Sequence, residues 1–154
     1  MCNAPTRRVN VTSCRDALNG YQQGRCFYCF REIEVNGGAI DVDVDHFFPH
    51  TFTFATGRSG VNLNGVWNLV LALPSLQPGA DGKFALVPDT LLLERLHRRN
   101  GFLIESHHPL RETLIAQTGA TEPERISFLQ QMDTWAIGYL IHRWTPNDEA
   151  EAAF

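Results

Sequence analysis

The chain has 154 residues, enough for one sizeable core and short for two, and its 44% hydrophobic and 19% charged residues are an ordinary balance for a globular protein. A formal net charge of −4 argues against binding nucleic acid through bulk positive charge and leaves room only for a local basic face. No apolar run reaches membrane-spanning length and the first residues lack the apolar core of a signal peptide, so the expectation is a cytoplasmic protein without a membrane partner.

Near the start, Thr12 or Ser13 can cap a short helix through Ala17, Leu18 and Tyr21, which Gly24 stops. The four cysteines, Cys2, Cys14, Cys26 and Cys29, all lie towards this end of the chain. In a reducing compartment Cys26-Phe27-Tyr28-Cys29 reads as a metal knuckle or a redox pair before it reads as a disulfide. Two thiols alone do not close a tetrahedral Zn²⁺ site. A tight turn over Asn36-Gly37-Gly38 follows.

The turn leads into Ile40-Asp41-Val42-Asp43-Val44-Asp45-His46, where apolar and acidic residues alternate with the period of a strand that buries one face. Neighbours on a strand point to opposite faces, so Asp45 and His46 share a site only where the strand ends, and Pro49 supports an end there. An Asp beside a His at such an end suits metal-assisted hydrolysis. The carboxylate binds Mg²⁺ through oxygen, and the imidazole, titrating near neutrality, takes a proton from water. A calcium loop starting at Asp41 fails, because His46 stands where the loop needs Gly and Phe52 where it needs Glu.

A loop rich in Gly and Ser near Gly57 to Gly60 precedes a turn at Asn62-Leu63-Asn64-Gly65 and an apolar strand beginning at Asn68-Leu69. Asn68 can hydrogen-bond the loop that carries the Asp-His pair, or merely its own backbone.

Cys26-x-x-Cys29, Val44-Asp45-His46-x-x-Pro49 and Trp67-Asn68-Leu69-Val70-Leu71, in that order, resemble the HNH nucleases, whose ββα-metal core is also called the His-Me finger. The resemblance covers roughly residues 15 to 85. It implies an α+β fold with a ββα-metal core, and cleavage of DNA phosphodiesters with a divalent ion such as Mg²⁺. His46 is then the general base, Asp45 a metal ligand and Asn68 the residue that orients the loop. The family's helix opens with a second Cys-x-x-Cys followed by a metal-binding Asn or His.

This chain reads Leu73-Pro74-Ser75-Leu76-Gln77-Pro78-Gly79 there, with leucines at both cysteine positions and Gln77 at the metal position. Leucines bind no zinc, and Gln77 carries its oxygen one methylene further out, which Mg²⁺ geometry tolerates poorly. One choice of synonymous codons for this segment is CTG CCC AGC CTG CAA CCG GGG. Read one nucleotide later, they give Cys-Pro-Ala-Cys-Asn-Arg, the missing signature. A compensated pair of frameshifts near Ala72 and Ala80 is a hypothesis for the departure that rests on this choice of synonymous codons. A different zinc set, Cys26, Cys29, His46 and His50, has finger-like histidine spacing but consumes the proposed base.

Asp89 caps a helix over residues 90–99 that Asn100-Gly101 ends, and Phe102 to Glu105 continue the helical layer. Lys83, Arg95, Arg98 and Arg99 form the only basic concentration and are the candidate DNA-phosphate contacts. His107 and His108 read as surface histidines before a helix over residues 110–117. Thr121, Pro123 and Glu124 start a last helix with a broad apolar stripe from Ile126 to Trp144, stopped by Pro146, which packs on the core or docks on a partner protein. The organisation expected is a nuclease-like core over residues 10–88, a helical extension over 89–146 and a flexible tail over 147–154. The competing reading of the whole is an inactive HNH-like module that binds DNA or protein.

Overall fold

A computed structural model describes residues 12–33, 42–49, 61–76, 83, 86–147 and 149–154, and shows an α+β chain. Helix α1 spans Thr12–Gln22 and ends where Gln23 (φ 50°) and Gly24 (φ 75°) both turn left-handed, with the Gly24 N–H capped by Asn19 Oδ1 at 2.7 Å. Strand β1, Asp43–His46, pairs antiparallel with β2, Leu69–Ala72, in the register Asp43 with Ala72 and His46 with Leu69.

β2 is the centre of the fold. Its sequence Leu-Val-Leu-Ala is fully buried, and burial of each large side chain contributes about 1.5–3 kcal/mol. One edge of β2 is covered by β1. The other is closed by Gln22, whose amide exchanges two hydrogen bonds with the Leu71 backbone (2.8 and 2.9 Å), while Phe27 N–H adds a third to Leu71 O (2.9 Å). The Cys26–Cys29 turn is thereby fixed directly beside β2. β1 is shallower than its alternation implies: Val42 is buried, but Asp43, Val44, Asp45 and His46 are all half-buried.

A short parallel pair, β3 (Val87–Pro88) and β4 (Arg143–Trp144), joins the middle of the chain to its end. Between them lie α2 (Thr90–Glu105), α3 (Arg111–Thr118) and α4 (Glu122–Leu140). Asp89 caps α2 by accepting from Leu91 N–H (3.0 Å), and Thr121 caps α4 by accepting from Glu124 N–H (3.4 Å). Gly119 closes α3 with φ 139°.

Three sequence expectations are corrected. Asn100-Gly101 does not stop α2, because Asn100 is buried and its side-chain oxygen accepts from Arg99 Nε (2.8 Å), so the helix runs on to Glu105. The last helix ends at Leu140, where Ile141 takes φ 74°, and Trp144 lies in β4 instead of on the helix. The end of the chain packs back: Ala150 N–H donates to Cys29 O (2.8 Å), and the Phe154 ring lies against Tyr21, Phe27 and Phe30. The helix expected after β2 falls largely on residues outside those described, and Pro74–Leu76 form a 3₁₀ turn. Among the described residues no helix is long and apolar enough to cross a membrane.

Candidate active site at the end of the β1–β2 ladder

The ladder ends where Phe47 N–H donates to Asn68 O (2.8 Å). Asn68, fully buried, then binds the departing chain through its side chain. Its Oδ1 accepts from Phe48 N–H (2.8 Å), while its Nδ2 donates to Phe48 O (3.1 Å) and to Leu63 O (2.8 Å). A carboxamide offers the same donor and acceptor pair as a peptide, so Asn68 acts as one more strand position and ties the loop after Asp45-His46 to the turn before β2. It binds that loop and not its own backbone.

Asn68 is itself held from below. Arg99 of α2 is fully buried and donates to Leu69 O (2.8 Å), Val66 O (3.0 Å) and Trp67 O (3.3 Å), gripping the backbone of the 3₁₀ turn Val66–Asn68 and the start of β2. Burial lowers the Arg99 pKa to about 10, so it remains a cation at neutral pH. Arg95, one turn earlier, donates to Phe27 O and Tyr28 O and lies 4.0 Å over the Phe30 ring.

His46 meets Asn64 across the site, with Nε2 2.7 Å from Oδ1. An amide oxygen only accepts, so Nε2 is the donor in this contact. Asn64 is placed by its own N–H, which donates to Asn62 Oδ1 (3.0 Å).

Among the described residues Asp45 has two partners, and both reach Oδ2. Tyr28 Oη donates at 2.6 Å, and Lys83 Nζ forms an ion pair at 3.1 Å. Lys83 also donates to His46 O (2.7 Å) and lies 5.8 Å from the centre of the Tyr28 ring. Burial, reinforced by Asp45, holds the Tyr28 phenol well above its usual range, so it stays a donor. Burial also lowers the Lys83 pKa, and the Asp45 charge acts in the opposite sense.

Cys26 and Cys29 are both buried and unoxidised. The Cys29 thiol donates to the Cys26 sulphur, which also accepts backbone N–H groups from Cys29, Leu73 and Tyr28; together these outweigh burial and lower Cys26 to about 6. Cys29 is pushed up, first by that same bond and then by burial. The Leu73 N–H on the Cys26 sulphur brings the second turn onto the first, where Leu73 and Leu76 pack against the core. No group of three or more His, Cys, Asp or Glu side chains gathers for a metal among the described residues.

The basic concentration is not a surface face. Lys83 is 1% exposed, Arg95 8% and Arg99 0%, and each donates to backbone carbonyls inside the protein, which corrects their reading as phosphate contacts. Arg98 alone lines a surface groove of about 560 Å³, and α2 and α4 build that groove with Leu93, His97, Ile126 and Asp133. Gln77 and His50 lie outside the described residues. The described residues do not make up a Mg²⁺ shell: they supply Asp45 as a single carboxylate, with an ammonium already on Oδ2.

Three partners of the pair escape sequence reasoning. Tyr28 hides inside the knuckle, Asn64 inside a turn motif, and Lys83 lies 37 residues beyond the histidine whose carbonyl it binds. Only the Asn62-Leu63-Asn64-Gly65 turn carries a signal, since a second Asn in it exceeds what the turn needs. Comparison with protein-family models, curated proteins and solved structures returns no match.

Proposed function

We propose that the chain is an endonuclease unit of the HNH type that hydrolyses DNA phosphodiester bonds with His46 as general base. The observation that carries this reading is the Asn68 carboxamide, which binds Phe48 and Leu63 and so fixes the loop on which His46 is held against Asn64. In the proposed reaction His46 Nδ1 takes a proton from water, the water oxygen bonds to phosphorus, and the bond to the ester oxygen breaks. A held imidazole and a fixed loop are what such a base requires, because misplacement by an ångström costs orders of magnitude in rate.

The experiment is plasmid nicking by the purified protein with Mg²⁺ or Mn²⁺ added. Cleavage that His46→Ala abolishes supports the reading, and cleavage that persists in that variant rejects His46 as base.

A second reading, an HNH-like module that binds DNA or protein without cleaving, is favoured by the leucines at positions 73 and 76, which bind no metal. It expects binding without cleavage by the chain as written, and a gain of cleavage when Leu73→Cys, Leu76→Cys and Gln77→Asn are combined. Sequencing the gene across codons 70 to 82 tests the frameshift account of that segment. Codons that cannot yield Cys-Pro-Ala-Cys-Asn in the shifted frame overturn it.

A further inference from the structure

We propose that Lys83 is the resident cation of the Asp45 carboxylate, and that a divalent ion reaches Asp45 only in competition with it. This rests on the reading of Asp45 as the metal-facing carboxylate of an HNH-type site.

The geometry is specific. Lys83 Nζ spans Asp45 Oδ2 (3.1 Å) and His46 O (2.7 Å), bridging the side chain of one residue and the backbone of the next. Tyr28 Oη donates to the same carboxylate oxygen at 2.6 Å, so Oδ2 has an ammonium and a phenol upon it. The Lys83 side chain is 1% exposed and the Asp45 side chain 14%, so water screens the pair little.

A Mg²⁺ or Mn²⁺ ion bonds a carboxylate oxygen at roughly 2.1 Å. An ammonium and a dication cannot share one such oxygen in a half-buried site, because each stands within a few ångströms of the other's charge. The ion must therefore expel Nζ from Oδ2 or bind against its repulsion. The His46 carbonyl gives the ammonium a second acceptor to keep when it leaves the carboxylate. Lys83 thus sets the ion's apparent affinity, holds Asp45 and the His46 backbone together without it, and is a positioning residue with no contact to substrate.

The test is Mn²⁺ binding, followed by the electron paramagnetic resonance signal of the free ion, to the wild-type chain, Lys83→Met, Lys83→Gln, Asp45→Asn and the double variant Lys83→Met/Asp45→Asn. Removing the competing charge should tighten Mn²⁺ binding by about tenfold or more, the size of effect one neighbouring charge has at a partly buried group. The gain should vanish in the double variant. Equal or weaker binding by folded Lys83→Met and Lys83→Gln overturns the competition while leaving the Asp45 reading intact. A gain that survives Asp45→Asn instead removes Asp45 from the ion's shell, and the reading on which the proposal rests fails with it.

Should both Lys83 variants lose their near-ultraviolet circular dichroism, the wild-type chain still decides. The side-chain ¹⁵N resonance of Lys83 should shift during a Mg²⁺ titration as the ammonium gives up the carboxylate. A resonance that stays in place through tens of millimolar Mg²⁺ overturns the proposal.

Discussion

The two ends of the β1–β2 ladder are built from different materials. Where His46 pairs with Leu69, side chains close the structure: Asn68 binds three backbone groups, Asn64 binds His46, and Lys83 with Tyr28 binds Asp45. Where Asp43 pairs with Ala72, the chain runs into Leu73, whose backbone N–H meets the Cys26 sulphur, and the Leu73 and Leu76 side chains pack against the core. The first end is polar, specific and complete within the described residues. The second is held by apolar packing beside a pair of buried thiols. A single strand thus supports one end closed by polar side chains and one end closed by apolar packing beside two buried thiols.

Four changes break or sharpen that contrast. The largest effect belongs to the thiol end. Leu73→Cys/Leu76→Cys should bind one Zn²⁺ with the Cys26–Cys29 pair, and an excess of about a thousandfold over Kd raises stability by about 4 kcal/mol. Atomic absorption and a zinc-dependent Tm check this. No bound zinc in the folded variant would place residues 73 and 76 away from the thiols.

Arg99→Met comes next. It removes donors from three buried carbonyls and should cost about 3 kcal/mol in a urea titration, while Arg98→Ala on the groove should stay within about 0.5 kcal/mol. Asn68→Ala strands the Phe48 N–H and two carbonyls and should cost about 2 kcal/mol. Faster hydrogen exchange is expected at Phe48 before it is seen in β2.

Asn64→Ala is the mildest. It should change stability by less than about 1 kcal/mol, since its bond to His46 is only part-buried, yet lower cleavage by about tenfold or more by freeing the imidazole to turn. Equal cleavage by this variant would separate Asn64 from the work of the base.

The sequence carries the local half of this structure. Helices α1, α3 and α4 are legible from their caps and stops, Gly24, Gly119 and Thr121, because these act within a few residues of their own backbone. The β1–β2 pair and Asn68 are legible from periodicity and from a polar residue at a strand start. What escapes is set by long-range contacts. Asn100-Gly101 reads as a helix stop until Arg99 buries Asn100, and β3 with β4 are too short to show a period and pair residues 56 apart in sequence, Val87 with Arg143. The cations mislead for the same reason: a row of basic residues looks like a surface until their carbonyl partners, 30 to 68 residues away, are known.

The most direct measurement of the central claim is plasmid cleavage with Mn²⁺ by the Leu73→Cys/Leu76→Cys/Gln77→Asn variant, with and without His46→Ala. The account predicts cleavage by the triple variant and a loss of about 10²-fold or more when His46 is removed. Cleavage undiminished without His46, or none by a correctly folded triple variant, would contradict the assignment of the Asp45-His46 strand end as a phosphodiester-hydrolysing site.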